Sequence, residues 1–244
     1  MRIDVYFTPG ELAGAELPER AVVIDVLRAT TTVVEALANG AKAVFPMDTA
    51  DDAMRLAQNV GRDSVLLCGE RKALPIEGFD LGNSPREFTE ERVADKALVM
   101  TTTNGTRAFL AVADRRTTPA AEGGAILVAS FLNLSAVVHR IVEREGAVAL
   151  VCAGREGRFG LDDAACAGAL IRGVEASGTV PELNDGGRAA RSLAADADIE
   201  GMLRASAAGR HLVELELGED VAFCARVDRT DVVPVLRERK ITVE

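Results

Sequence analysis

AVVIDVLRATTTVVEALANG, residues 21–40, decides the fold. An unbroken apolar, β-branched run (AVVIDVL, 21–27) passes through a Thr-rich turn into a helical pattern. That pattern closes at Gly40, where a left-handed helix cap belongs. A short strand apolar on both faces is buried on both faces, and a helix straight after it is the unit of a parallel sheet. The unit recurs outward along the chain. AKAVFPM (41–47) precedes DTADDAMRLAQNV (48–60), and KALVMTT (96–102) precedes NGTRAFLAVA (104–113). GAILVAS (124–130) precedes FLNLSAVVHRIVEREG (131–146), and VALVCAG (148–154) precedes LDDAACAGALIRGVEASG (161–178), with SVLLC (64–68) standing between. The expected fold is α/β, a mostly parallel or mixed sheet covered by helices on both faces in three layers. Gly146 and Gly178 occupy cap positions like that of Gly40.

Beyond residue 180 the pattern changes. Asn184 to about Arg210 is Ala-rich and helical, whereas VAFCARVD (221–228) and DVVPVLRERKITVE (231–244) look like closing strands, the second interrupted by Pro234. No linker divides the 244 residues, so a single α/β domain is expected. DVLRATTTVVEALANG and MTTTNGTRAFLAVA echo each other as strand, Thr-rich turn and helix. Duplication, with a boundary near residues 115–125, and shared loop chemistry both explain the echo.

Composition narrows the function. The chain carries 28 Lys and Arg against 38 Asp and Glu, a net charge of −10, with no Trp and one Tyr. A nucleic-acid surface needs a basic footprint and often stacking aromatics, so none is expected. No window offers the roughly 18 apolar residues of a membrane span and MRIDVYFTPG is no signal peptide, so a cytoplasmic protein is expected. Cys68, Cys152, Cys166 and Cys224 form no CxxC pair and read as reduced, buried thiols. A homodimer is the default assembly.

In an open α/β sheet, ligands bind beyond the carboxyl ends of the strands. There the chain places Asp25, Arg28, Thr30, Thr31 and Thr32, then Gly69, Glu70 and Arg71. It also places Thr101 to Arg107, including Asn104 and Thr106, and the group Gly154, Arg155, Glu156, Arg158, Asp162 and Asp163. Hydroxyls and free N–H groups at helix starts, with arginine beside them, suit phosphate, sulfonate or carboxylate, although helix capping alone explains either Thr-rich turn. The carboxylates Asp25, Glu70, Asp80, Glu156, Asp162 and Asp163 would repel one another unless a cation or the arginines intervened. Oxygen-only ligands favour Mg²⁺ together with a substrate phosphate. A surface ion-pair network is the alternative. The loop from Gly69 to about Asn83, with Pro75, Gly78, Gly82 and Pro85, reads as a lid or wall carrying Glu70, Arg71, Glu77 and Asp80.

Other signatures compete. Cys152 and Arg158 fit the C-x5-R pattern of thiolate phosphatases, but Val151 precedes the Cys and Phe159 follows the Arg. His139 and His211 lack the Arg-His-Gly context of a phosphohistidine enzyme. The D-x-D-x-T, P-loop and dinucleotide motifs are missing.

Five blocks in order, IDVLRATTT (24–32), GERKALPIEGFDLGNSP (69–85), TTTNGTRA (101–108), ASFLN (129–133) and AGREGRFGLDDAACAG (153–168), resemble the 2-phosphosulfolactate phosphatase family over nearly the whole chain. The resemblance implies Mg²⁺-dependent hydrolysis of 2-phospho-3-sulfolactate to sulfolactate and phosphate, a step that leads toward coenzyme M in methanogens. Carried across, it implies Asp25, Glu70 and Asp162 or Asp163 near the metal. It implies Arg28, Thr31, Arg71, Asn104, Thr106, Arg107 and Arg155 on the anions, with Asp25, Arg28 and Glu70 taking part in catalysis. An Asp25 nucleophile and direct attack by water both remain open, as do thiolate chemistry at Cys152 and a non-catalytic binder of sulfonated or phosphorylated metabolites. Two departures stand out: Ala208 replaces the His of the family's Ser-x-His-Gly-Arg, and Leu161-Asp162-Asp163 replaces its usual Leu-Glu-Asp.

Overall fold

The computed structural model describes residues 1–61, 64–115, 125–194 and 198–243. The strand-and-helix units of the sequence all form. β1 (Arg2–Tyr6) opens the chain, and β2 (Arg20–Ile24) leads into α1 (Ala29–Ala38). β3 (Ala43–Pro46) and α2 (Ala50–Val60) follow, α2 being capped by Thr49, whose side chain accepts from Asp52 N. Next come β4 (Val65–Arg71), the short β5 (Leu74–Pro75), α3 (Glu90–Val93), β6 (Ala97–Thr101) and α4 (Gly105–Asp114). β7 (Ile126–Ala129), α5 (Leu134–Val142), β8 (Ala147–Cys152) and α6 (Leu161–Ala176) complete the alternating run. Gly40, Gly146 and Gly178 all have positive φ, as their cap positions require.

The remaining chain is β9 (Glu182–Leu183), α7 (Asp185–Leu193), α8 (Ile199–Ala205), α9 (Ala207–Glu214), α10 (Gly218–Cys224), β10 (Pro234–Arg237) and β11 (Lys240–Val243). VAFCARVD is therefore not a strand: its first four residues end α10. A short apolar run fits either element, and here the helix buries Val221, Phe223 and Cys224 while turning Asp220 inward. Pro234 begins β10 rather than interrupting it.

One sheet runs β5-β4-β6-β3-β11-β10-β7-β2-β8-β1-β9. The pairs among β4, β6 and β3, and those among β7, β2, β8, β1 and β9, are parallel. Between the two parallel blocks lies the antiparallel hairpin β10–β11, paired with β7 on one side and β3 on the other. α1 and α4 pack against both blocks on one face of the sheet. A single apolar cluster takes Val23, Val128 and Val151 from one block and Val44, Leu98 and Met100 from the other. Val33, Val34, Phe109 and Val112 of the two helices lie between. The far face of the larger block packs Val22, Ile24 and Leu150 against Ile141, Leu170 and Ile171 of α5 and α6. The far face of the smaller block packs Leu67 and Val99 against Ala53 and Ala57 of α2. Helices thus cover both faces of each block, and the two blocks share α1 and α4. The expected duplication boundary falls largely on residues 116–124, outside the described residues.

Candidate active site

A cavity of about 190 Å³ opens where β2 and β8 of one block and β4 and β6 of the other end. Asp25, Arg28, Glu70, Asn104, Arg155, Asp162 and Asp163 all line it. Two glycines permit close approaches here. Within the smaller block a Cβ on Gly69, at φ +144°, would lie 1.9 Å from Thr101 O, and between the blocks one on Gly105 would lie 2.4 Å from Ala29 Cβ and 2.7 Å from Asp25 Oδ2.

The four carboxylates divide by what their oxygens already hold. Asp163 is a clamp: Val26 N donates to Oδ1 at 2.8 Å and Gly154 N to Oδ2 at 3.0 Å, tying the turns after β2 and β8 together. Glu70 does the same across the other block. Thr103 N donates to its Oε1 at 2.6 Å, while Ala73 N and Thr103 Oγ1 donate to Oε2 at 2.7 and 3.1 Å. Asp25 accepts on Oδ1 from Ala29 N at 3.1 Å. Asp162 opens α6, where the helix dipole favours an anion.

All of these carboxylates are buried. Burial drives the Asp25 carboxyl up to about 7, with Asp162 and Glu70 adding repulsion and the Ala29 N–H and Arg28 opposing it. Burial likewise lifts Asp162 to about 6 against the pull of backbone amides and Arg155, and it lifts Asp163 well above the ordinary carboxylate range. Hard oxygen donors crowded at this cost fit a divalent cation. Among the described residues no group of three or more His, Cys, Asp or Glu stands as a ready-made coordination sphere.

The cationic side is partly spent. Arg28, the N-cap residue of α1, donates from Nη1 to Asp220 Oδ2 and from Nη2 to Ala73 O, both at 2.7 Å, with 3% of its side chain exposed. Ser84 Oγ donates to the other Asp220 oxygen at 2.6 Å. α10 is thereby locked onto the pocket. Arg155 donates to Ala207 O of α9. Asn104 accepts on Oδ1 from Glu156 N at 2.9 Å, linking the turns after β6 and β8.

Four expected anion contacts fall outside this wall. Thr31 spends its hydroxyl on Val26 O at 2.8 Å, and Thr106 spends its own on Thr102 O at 3.0 Å; both are fully buried. Arg71 points away, donating to Glu70 O at 2.8 Å and Thr101 Oγ1 at 2.9 Å, while Arg107 faces Asp48 at 3.5 Å. All four arginine-bearing turns thus reach the cavity, but of their arginines only Arg28 and Arg155 line it. Conversely, Lys72, Asn83, Ala208 and His211 line the cavity without having been singled out as its ligands. Ala208 and His211 are three residues apart on α9, which brings an imidazole to the wall beside the position that lacks one.

Cys152 lies on the α6 side of its strand, fully buried, and does not line the cavity. Burial, with Asp163 adding to it, holds the thiol far above its usual range, and Arg158 is exposed. A thiolate nucleophile has no support there.

Fold and cavity together define an α/β protein with a carboxylate-and-cation pocket of the kind that handles small phosphorylated anions. The chain belongs to the 2-phosphosulpholactate phosphatase family, whose profile matches residues 6–239. It is 41% identical over 235 residues to a probable 2-phosphosulfolactate phosphatase of Symbiobacterium thermophilum, covering 96% of each chain. Similar relatives with the same description come from Caldanaerobacter subterraneus, 38% identical over 240 residues (97% and 96% covered), and Thermotoga petrophila, 41% over 218 residues (88% of each).

Proposed function

We propose that the chain is a Mg²⁺-dependent phosphoric monoester hydrolase acting on 2-phospho-3-sulfolactate to give 3-sulfolactate and phosphate, a step of the coenzyme M type. The observation that carries this is that the buried carboxylates Asp25 and Asp162 line one small cavity together with Arg28, Lys72 and Arg155. The family names and the chemistry of the wall support the same substrate class. Phosphate, sulfonate and carboxylate on one small acid call for several cations, and Lys72 pairs with no carboxylate of the described residues.

Asp25 and Asp162 would hold the cation, with Glu70 and Asp163 fixing the loops around it. A bound Mg²⁺ supplies neutralisation of the phosphoryl oxygens. The chain's own residues do the rest. Arg155 and Lys72 hold the anionic arms. Arg28, anchored at Asp220, fixes the α10 side of the cavity, and the buried walls exclude bulk water and strengthen each electrostatic contact. A cytoplasmic location belongs to this reading. No described helix is long and apolar enough to cross a membrane.

Phosphate release from phosphosulfolactate and a panel of small phosphoacids tests the proposal, with Mg²⁺, with EDTA and in Cys152→Ser. Activity lost to EDTA and kept in Cys152→Ser is expected. Tight ligand binding with no phosphate release over the whole panel would turn the protein into a binder.

A further inference from the structure

A second cavity, of about 220 Å³, lies at the opposite ends of the larger block's strands, where β2, β7 and β8 begin and β10 and α5 end. No residue lines both cavities. Arg20 stands five residues before Asp25, roughly 16 Å of extended strand at about 3.3 Å per residue. Buried Val22, Leu127 and Val148 line this second cavity with Arg20, Arg140, Arg144 and Arg237. Among the described residues its one carboxylate is Glu143, in a chain whose net charge is −10. Part of the cluster is structural. Cations suit the C-terminus of α5, and Arg20 covers carbonyls there, donating from Nη1 to Ile141 O at 3.0 Å and from Nη2 to Glu145 O at 3.2 Å. Glu143 is engaged locally, 3.0 Å from His139 Nδ1 and 3.6 Å from Arg140 Nε.

Helix capping leaves Arg144 and Arg237 unexplained. Arg144 makes no ion pair among the described residues, although Glu19 and Glu145 share a neighbouring groove with it. Burial, and after it the Arg144 charge, pull the Arg20 guanidinium below the usual arginine value, so two like charges are held close together. Arg237 ends β10 and reaches the same cavity from another strand. Guanidiniums gathered round a cavity are relieved of their mutual repulsion by an anion that enters it, and each offers a planar fork of donors to that anion's oxygens. A carboxylate brings two oxygens and a single charge, whereas a phosphate monoester brings three oxygens and about two charges. Buried apolar side chains beside the arginines suit a carbon skeleton. We propose that the second cavity binds a small organic phosphate, its phosphoryl oxygens held by Arg20, Arg144 and Arg237 and its carbon skeleton set against Val22, Leu127 and Val148. The site stands whether or not the chain hydrolyses phosphosulfolactate.

Calorimetric titration of the full chain with butyl phosphate, in EDTA at fixed ionic strength, tests this. Two double variants separate the cavities, Lys72→Met with Arg155→Met for the first and Arg144→Gln with Arg237→Gln for the second. Binding is expected to persist when Lys72 and Arg155 are replaced and to weaken about 10-fold or more when Arg144 and Arg237 are. Inorganic phosphate, without the skeleton, and butyrate, without the third oxygen, are each expected to bind at least about fivefold more weakly than butyl phosphate. Arg144→Glu, at an exposed position, gives the same reading should the second double variant not fold. No binding by the unaltered chain would overturn the proposal. Binding lost with Lys72 and Arg155 but intact without Arg144 and Arg237 would place it wholly in the active cavity and overturn it too. Butyrate bound as tightly as butyl phosphate would make the cavity a general anion site and sink the phosphate assignment. Self-association lost in Arg144→Glu, with no butyl phosphate bound by the unaltered chain, would make the arginines an interface between copies instead.

Discussion

Asp25 releases its proton near 3.8 in an unfolded chain and at about 7 in its buried place beside Asp162 and Glu70. Between those values the folded state holds a proton that the unfolded state has lost. The stabilisation is therefore full below 3.8 and gone above about 7. The thermal midpoint of the metal-free protein should fall between about pH 5 and about pH 8, Asp25→Asn should flatten the fall, and added Mg²⁺ should raise the midpoint more at the higher pH. An undiminished slope in Asp25→Asn would place its origin elsewhere. At Arg28 the expected effect is on folding. Arg28→Ala strands Asp220 in the interior, and urea titration should show a loss of about 3–5 kcal/mol; Cys152→Ser, by contrast, should leave phosphate release within about threefold of normal. Position after a strand was enough to read Asp25, Arg28, Glu70, Asn104, Arg155, Asp162 and Asp163 as one wall. It could not separate Glu70 from Arg71, because neighbours in a strand point to opposite faces. Nor could it show that the hydroxyls of Thr31 and Thr106 turn back onto their own loops. Asn83 and His211 were illegible for a different reason: burial and helix phase put them on the wall, and no local motif marks either.

The alternating strands and helices were legible because each carries its own periodicity and punctuation. α10 was not, since VAFC is too short for its period to be read and its helical state follows from Asp220 having to meet Arg28 and Ser84. β5 and β9, two residues each, exist only through their partners. Contact between elements is where the next prediction lies. On α6, a Cβ at Gly168 would stand 2.0 Å from Ala190 O, so α6 and α7 touch backbone to backbone. Gly168→Ala must push them apart. A loss of about 1–3 kcal/mol in urea unfolding is expected, against the small gain that alanine brings to an ordinary helix interior. An unchanged midpoint would mean that the helices yield freely.

For the molecule as a whole, the α/β class and parallel pairing could be read from the chain, but the division of the sheet could not. Pairing between β3 and β11, or between β10 and β7, links residues far apart in sequence, and no local pattern announces it. The division matters because one wall of the cavity, Asp25 to Arg28 and Gly154 to Asp163, belongs to the larger block. The other, Glu70 to Ala73, Asn83 and Thr102 to Asn104, belongs to the smaller. Ile241→Asp, which buries a charge in the hairpin between them, should abolish phosphate release although the residue lines no part of the cavity. The hairpin is the keystone of an arch. During synthesis every residue of the cavity leaves the ribosome before residues 234–243 do. The two walls of the cavity thus share their sheet only through the last strand pair to be made.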